Sequence, residues 1–384
     1  MGRIDSFLKD RQKKDLLRSL RPATGRSDGR IFFNDRGLVD FSSNDYLGLS
    51  NHPRLKAASH KALEDFGTGS SASRLLSGSL DIHHELEKRI ASFKGKEAAL
   101  VFNSGYQANT GIISSLCGRG DVIFCDRLSH ASIIDGMLLS QARFIRFEHN
   151  DMEDLKFFLE RERANYREAL IITETVFSMD GDIAPLGELV RLKDLYNCKL
   201  MVDEAHAMGI FGPNGSGQVG AEGLTERVDL IMGTFSKAMG SFGAYIASSK
   251  ETIEYLVNAC RSFIYSTALP PAVIAANIES LNLVKDEPQR RELLLLNADY
   301  LREALKGIGL NVRGASQICP LIVGANSRAI ELSNRLMERG YWALPIRTPT
   351  VPEGEARLRF SLTYGHTIDV LKGLVNDIRS IYKV

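Results

Sequence analysis

LMVDEAHAMG, residues 200–209, sets three apolar residues directly before Asp203-Glu204-Ala205-His206. A short apolar run that ends in a polar turn reads as a strand buried on both faces. The acid at its end has two readings. In nucleotide-driven motors an Asp-Glu box holds Mg²⁺, but such proteins also need a Gly-x-x-x-x-Gly-Lys-Ser/Thr loop to cradle phosphates. The only Gly-Lys pair in the chain, Gly95-Lys96, is followed by Glu97, so the phosphate-binding half is missing. The acid serves something else, and Glu204 is then expected to matter least of the four letters.

Outward from this strand the same texture repeats. AALVF (98–102), DVIFC (121–125), RFIRF (143–147), ALIIT (169–173), DLIMG (229–233) and GAYIAS (243–248) are short apolar runs. Helix-length segments lie between most of them. In DMEDLKFFLERER, Leu155, Phe158 and Leu159 fall at helical spacing. This alternation predicts an α/β fold: a mostly parallel seven-stranded sheet with helices on both faces. GAYIAS follows DLIMG with few residues between, which predicts an antiparallel strand. Residues 4–20 read as an amphipathic helix, and IFF and LVDFSS as short strands. Past STALPP a long helical stretch runs to about Gly307, and four short strands with one helix follow. The predicted division is 1–46 as an N-terminal helix with short strands, 47–280 as a large domain and 281–384 as a smaller α+β domain.

Bulk properties narrow the function. The 384 residues are 44% hydrophobic and 25% charged, as in an ordinary globular protein, and the net charge of +1 gives no basic field for nucleic acid. Five scattered cysteines without a C-x-x-C pair argue against zinc and disulfides and for a reducing compartment. The histidines show no ligand spacing, so no metal is expected. MGRIDSFLKDRQKKDLL lacks an apolar core and no run of 18 apolar residues occurs. No signal peptide or membrane span is expected, and the cytoplasm is the expected location. GTGSSA (67–72) mimics a dinucleotide fingerprint but follows a helical segment rather than a strand.

Ligands of open α/β sheets bind at the carboxyl ends of the strands. There the sequence places Gly105 and Tyr106, then His130, then Ser178, then Asp203 and His206, then Thr234 and Lys237. The Gly105 and Tyr106 amides would take a phosphate at a helix N-terminus, with the Thr234 hydroxyl beside them. Asp203 would pair with a protonated ring nitrogen, His130 would stack on the ring, and Ser178 and His206 would bond a phenolic oxygen. Lys237 would close the site as a Schiff base. That complement matches pyridoxal 5′-phosphate.

With these residues placed, the chain resembles the α-oxoamine synthases, fold-type I pyridoxal-phosphate enzymes that condense an amino acid with an acyl thioester. FSSNDYLGLS, DRLSHASI, ETVFSMDGD, VDEAHAMGIFGPNGSG and TFSKAMG carry the resemblance over essentially the whole chain. ALPIRTPTVPEGEARLRFSLTYGH resembles the member that joins L-alanine to a pimeloyl thioester, on coenzyme A or an acyl carrier protein. Sister enzymes such as glycine acetyltransferase are the alternative. The resemblance implies that Lys237 takes the Cα proton and that Asp203 keeps the ring nitrogen protonated. His130 is implied to orient the acyl group or to stabilise the enolate, and Arg18 and Thr350 to contact the acyl substrate. The amino-acid carboxylate needs a cationic fork, assisted by Asn44. Arg357 and Arg359 share a strand face and both qualify, and the family pattern favours Arg359. A homodimer is implied too, with the GTGSSAS loop reaching the neighbour's phosphate.

Overall fold

The computed structural model describes residues 2–14 and 16–382. In chain order the elements are α1 (Arg3–Lys13), β1 (Gly25–Ser27), β2 (Arg30–Phe33), β3 (Arg36–Asp40), α2 (Pro53–Phe66), α3 (Asp81–Lys94), β4 (Ala98–Phe102), α4 (Gly105–Leu116), β5 (Val122–Asp126), α5 (Ala131–Ser140), β6 (Arg143–Phe147), α6 (Met152–Glu162), β7 (Ala169–Glu174), α7 (Leu186–Leu195), β8 (Lys199–Asp203) and α8 (Gln218–Ala221). They continue with β9 (Leu230–Thr234), β10 (Ala244–Ser248), α9 (Lys250–Ala259), α10 (Arg261–Ile264), α11 (Pro271–Asp286), α12 (Gln289–Gly307), β11 (Ile318–Gly324), α13 (Asn326–Glu338), β12 (Tyr341–Trp342), β13 (Pro345–Ile346), β14 (Ala356–Ser361) and α14 (Ile368–Tyr382). The chain divides into two compact units, 49–178 with 183–291, and 1–48 with 179–182 and 292–384.

The larger unit is built on a seven-stranded sheet of order β4-β10-β9-β8-β7-β5-β6. Pairs β5–β6, β5–β7, β7–β8 and β8–β9 are parallel, and β10 runs antiparallel to both β4 and β9. The mostly parallel sheet and its one reversed strand follow the sequence pattern. Strands β5, β7, β9 and β10 are buried at every position, as continuous Val/Ile/Leu runs require when helices cover both faces. One face packs Leu100, Ile112, Ile133, Met201 and Leu256 into a core, and the other packs Phe124, Leu155, Ile171, Leu189 and Val202. Each such side chain contributes about 1.5–3 kcal/mol by leaving water. Local signals set the helix starts. The Ser104 hydroxyl caps α4 by accepting from the Gln107 amide at 3.2 Å, and Asp151 caps α6 through the Glu153 and Asp154 amides.

The smaller unit holds a four-stranded sheet, β1-β2-β3-β12, and a three-stranded sheet, β11-β14-β13. β12 joins β3 in parallel, with Tyr341 opposite Val39. α1 ends at Lys13, short of the helix expected over 4–20. It buries no residue, so no packed face sustains the further turns.

Candidate active site

The carboxyl ends of β4, β5, β7, β8 and β9 gather eight of the residues singled out in the sequence within the larger unit. Gly105 and Tyr106 form the first turn of α4, where backbone amides have no acceptor inside the helix. A methyl group on Gly105 would sit 3.0 Å from Met232 Cε, so the backbone lies close against β9. His130 is the N-cap of α5. Ser178 lies four residues past β7, and His206, buried, three past β8. Lys237, half-buried, follows Thr234 by three residues. Thr234 Oγ1 donates to the Gly243 carbonyl at 2.8 Å and accepts from the Ser236 amide at 3.1 Å, which pins the turn that carries Lys237.

A hydrogen-bonded relay links two of these residues through partners that the sequence pattern did not reveal. Asp203, 5% exposed, accepts from Asn109 Nδ2 on one oxygen at 2.9 Å and from the Ala205 amide on the other at 2.8 Å. The same Asn109 nitrogen donates to Ser132 Oγ at 3.0 Å, and Ser132 Oγ lies 2.8 Å from His130 Nδ1. The Ser132 amide also donates to Nδ1, at 3.2 Å. With donors converging on Nδ1, the His130 proton belongs on Nε2. Although its edge meets solvent, His130 is lowered from its ordinary pKa by burial against protein and by Lys237, while Asp203 opposes the shift. The one available signal for Asn109 was its place four residues after Gly105, one helical turn along the same face.

Glu204 is not the dispensable letter it was expected to be. It is fully buried, pairs with buried Lys94 of α3 and accepts the Val219 amide at 2.8 Å. Lys94 also donates to the Ser216 carbonyl. The pair ties α3 to both ends of the 204–219 loop, which carries His206. Gly217 lies against it at φ +110°, where a Cβ would collide with the Glu204 carboxylate.

The remaining four residues lie in the smaller unit. Arg359 of β14, 8% exposed, donates to Asn44 Oδ1 and Tyr46 Oη at 3.1 Å each and to Ser361 Oγ. Arg357, on the same strand face, is wholly buried between carboxylates, at 2.6 Å from Asp180 and 2.8 Å from Glu355. Arg18 Nη2 donates to Thr350 Oγ1 at 3.3 Å. Arg18 borders a hollow of about 970 Å³, with Phe33, Trp342 and Met337 as apolar lining and Arg21 and Arg347 among its polar groups.

Comparison with known proteins gives this geometry a setting. The family model "Aminotransferase class I and II" matches residues 36–378. An 8-amino-7-oxononanoate synthase of Geobacter sulfurreducens is 50% identical over 384 residues, covering 99% of this chain and 98% of the relative. One from Geotalea daltonii is 50% identical over 355 residues, covering 92% and 90%. Among solved structures, a serine palmitoyltransferase from S. paucimobilis with a bound PLP–myriocin aldimine superposes with a TM-score of 0.93. It is 33% identical and covers 99% of this chain and 97% of its own.

Proposed function

The chain belongs to the aminotransferase class I and II family and, within it, to the 8-amino-7-oxononanoate synthases, and from that premise we propose that it condenses L-alanine with a pimeloyl thioester, on coenzyme A or an acyl carrier protein, to give 8-amino-7-oxononanoate, CO₂ and the free thiol. Its cofactor is pyridoxal 5′-phosphate, and the residues fit that group. The open amides of α4 suit a phosphate, Asp203 with its two donors suits a protonated ring nitrogen, and Lys237 stands at the next strand end. When bound, the cofactor supplies a sink for the electron pair left at Cα.

The protein's own groups do the rest. Lys237 would hold the cofactor covalently between turnovers and, when its amine is free, would accept the Cα proton on Nζ. Asp203 retains the proton on the ring nitrogen, and Asn109 and the Ala205 amide hold the carboxylate in place for it. Ser178 and His206 would bond the phenolic oxygen, and Gly105, Tyr106 and Thr234 would hold the phosphate. His130 presents Nε2–H to the acyl carbonyl oxygen, where negative charge develops during attack. Arg359 grips the alanine carboxylate with Asn44 beside it, because a planar guanidinium matches a carboxylate and Arg357 is already committed to Asp180 and Glu355. Arg18 and Thr350 receive the acyl chain, whose far carboxylate suits an arginine-bordered hollow with an apolar lining.

We further propose a homodimer in the cytoplasm. Leu76, 81% exposed, and Tyr265, 73% exposed, are apolar surfaces suited to a second copy, and five free buried thiols suit a reducing compartment. The observation that carries the catalytic reading is the Asp203 carboxylate fixed by two donors beside Lys237 and His130. Borohydride treatment of the cofactor-loaded protein should abolish a visible band and leave the label on a Lys237 peptide. In a thioester panel, pimeloyl with alanine should exceed acetyl with glycine by at least about tenfold in kcat/KM. The reverse order would assign the chain to a sister activity.

A further inference from the structure

Two carboxyls share one end of the sheet in the larger unit. Glu174 and Asp203 are register partners at the ends of β7 and β8, and Glu174 is 3% exposed. Their surroundings are unequal. Asp203 has a donor on each oxygen, Asn109 Nδ2 and the Ala205 amide. Glu174 has no such pair of donors: its Oε1 is buried with no hydrogen-bond partner. Donors on both oxygens favour the ionised form, whereas a buried oxygen without a donor favours the acid. Two negative charges on adjacent strands out of water repel strongly, so a proton resides on the carboxyl with fewer donors.

We propose that Glu174 is a positioning residue for the reaction: as a neutral carboxylic acid beside Asp203 on the neighbouring strand, it leaves Asp203 as the ionised member of the pair. The proposal rests on the reading above only in giving Asp203 the ring nitrogen. Burial pushes Glu174 up to about 8, the Asp203 charge adds to the rise, Lys237 and the His130 amide oppose it, and Asp126 of β5 raises it slightly. The Cys125 thiol also faces it and is itself raised by burial to about 12. Asp203, Asn109, Ser132 and His130 form a hydrogen-bonded chain, and Glu174 flanks Asp203 on the neighbouring strand. Ionising Glu174 would place a second negative charge beside Asp203 and favour the ammonium form of Lys237, withholding the base.

The direct test is infrared difference spectroscopy of the apoprotein, wild type minus Glu174→Gln. A protonated carboxylic C=O band should be present near about pH 6.5 and fade as pH rises through about 8. Carbon-13 labelling of glutamate in the wild-type protein should shift the same band, which keeps the test valid if the variant folds poorly. In the loaded enzyme, Glu174→Gln, which cannot ionise, should move the alkaline limb of kcat/KM upward by at least about one pH unit, while Glu174→Asp, which keeps a titrating carboxyl, should retain such a limb. Absence of the band at about pH 6.5, or an alkaline limb unmoved by Glu174→Gln, overturns the proposal. Loss of the borohydride-sensitive visible band would instead strike the functional reading, so the two failures are distinguishable.

Discussion

Arg357 and Arg359 show how two identical side chains on one strand face are given different tasks by their neighbours. Arg357 is sealed between Asp180 and Glu355, and Arg313 reaches the same Glu355 at 3.0 Å. Replacing Arg357 with Met removes the buried cation between Asp180 and Glu355 and leaves the half-exposed Arg313 as their cationic neighbour. The expected loss is about 3 kcal/mol, at the low end for a broken buried pair because Asp180 and Glu355 keep some contact with water. Chemical denaturation reads this directly. Arg359 donates to the neutral oxygens of Asn44, Tyr46 and Ser361, and its planar guanidinium suits a substrate carboxylate. Arg359→Lys keeps the charge but loses the fork, and KM for alanine should rise about tenfold or more with the denaturation midpoint little changed. An alanine KM that rises for Arg357→Met but not for Arg359→Lys would exchange the two roles.

At the scale of elements, the strand-to-loop transition after β8 depends on an ion pair whose ends come from α3 and from the loop itself. Lys94 and Glu204 are 1% and 0% exposed, and the Val219 amide and Ser216 carbonyl complete their bonding. Glu204→Gln leaves an ammonium in the interior facing a neutral amide and should cost about 3–5 kcal/mol. Replacing both, Lys94→Met with Glu204→Leu, removes the stranded charge and should recover most of that loss. Hydrogen exchange over residues 204–219 separates the two variants: fast in the single variant, near wild type in the double. Equal destabilisation in both would mean that the pair holds the loop by more than charge. The partnership was hidden in the sequence because Lys94 and Glu204 are 110 positions apart, and the motif that contains Glu204 says nothing of a partner on α3.

For the whole molecule, what the sequence made legible was what local periodicity encodes. The seven apolar runs became the seven strands, and the short interval before GAYIAS became the reversed strand β10, since each signal lies within a few residues of its effect. Strand-end residues were legible because parallel strands deliver their carboxyl ends to one side. Non-local pairings were not. β12 joins β3 across some 300 residues, and Asn109, Ser132 and Glu174 acquire their roles only when α4, α5 and β7 converge on Asp203 and His130. The same burial that hid those partners gives the protein two opposed pH dependences. His366, stacked on Phe41 at 4.2 Å, is lowered by burial from 6.5 to about 4, and His83 and His130 are lowered for the same first reason. As pH falls below 6.5 the unfolded chain takes protons that these native imidazoles refuse, so stability present above that value drains away toward about 4. Glu174 acts in the other direction. The unfolded chain releases its proton near 4.5 while the native state keeps it to about 8, so stability falls as pH rises across that interval. The two intervals overlap from 4.5 to 6.5, where three imidazoles outweigh one carboxyl, so the apoprotein should have its highest melting temperature near about pH 6.5. His366→Gln should flatten the acid limb alone, and Glu174→Gln the alkaline limb alone, in thermal scans across the range. Parallel limbs in wild type and both variants would show that other groups govern the pH response, while a single variant flattening both limbs would mean that the two buried sites titrate as one.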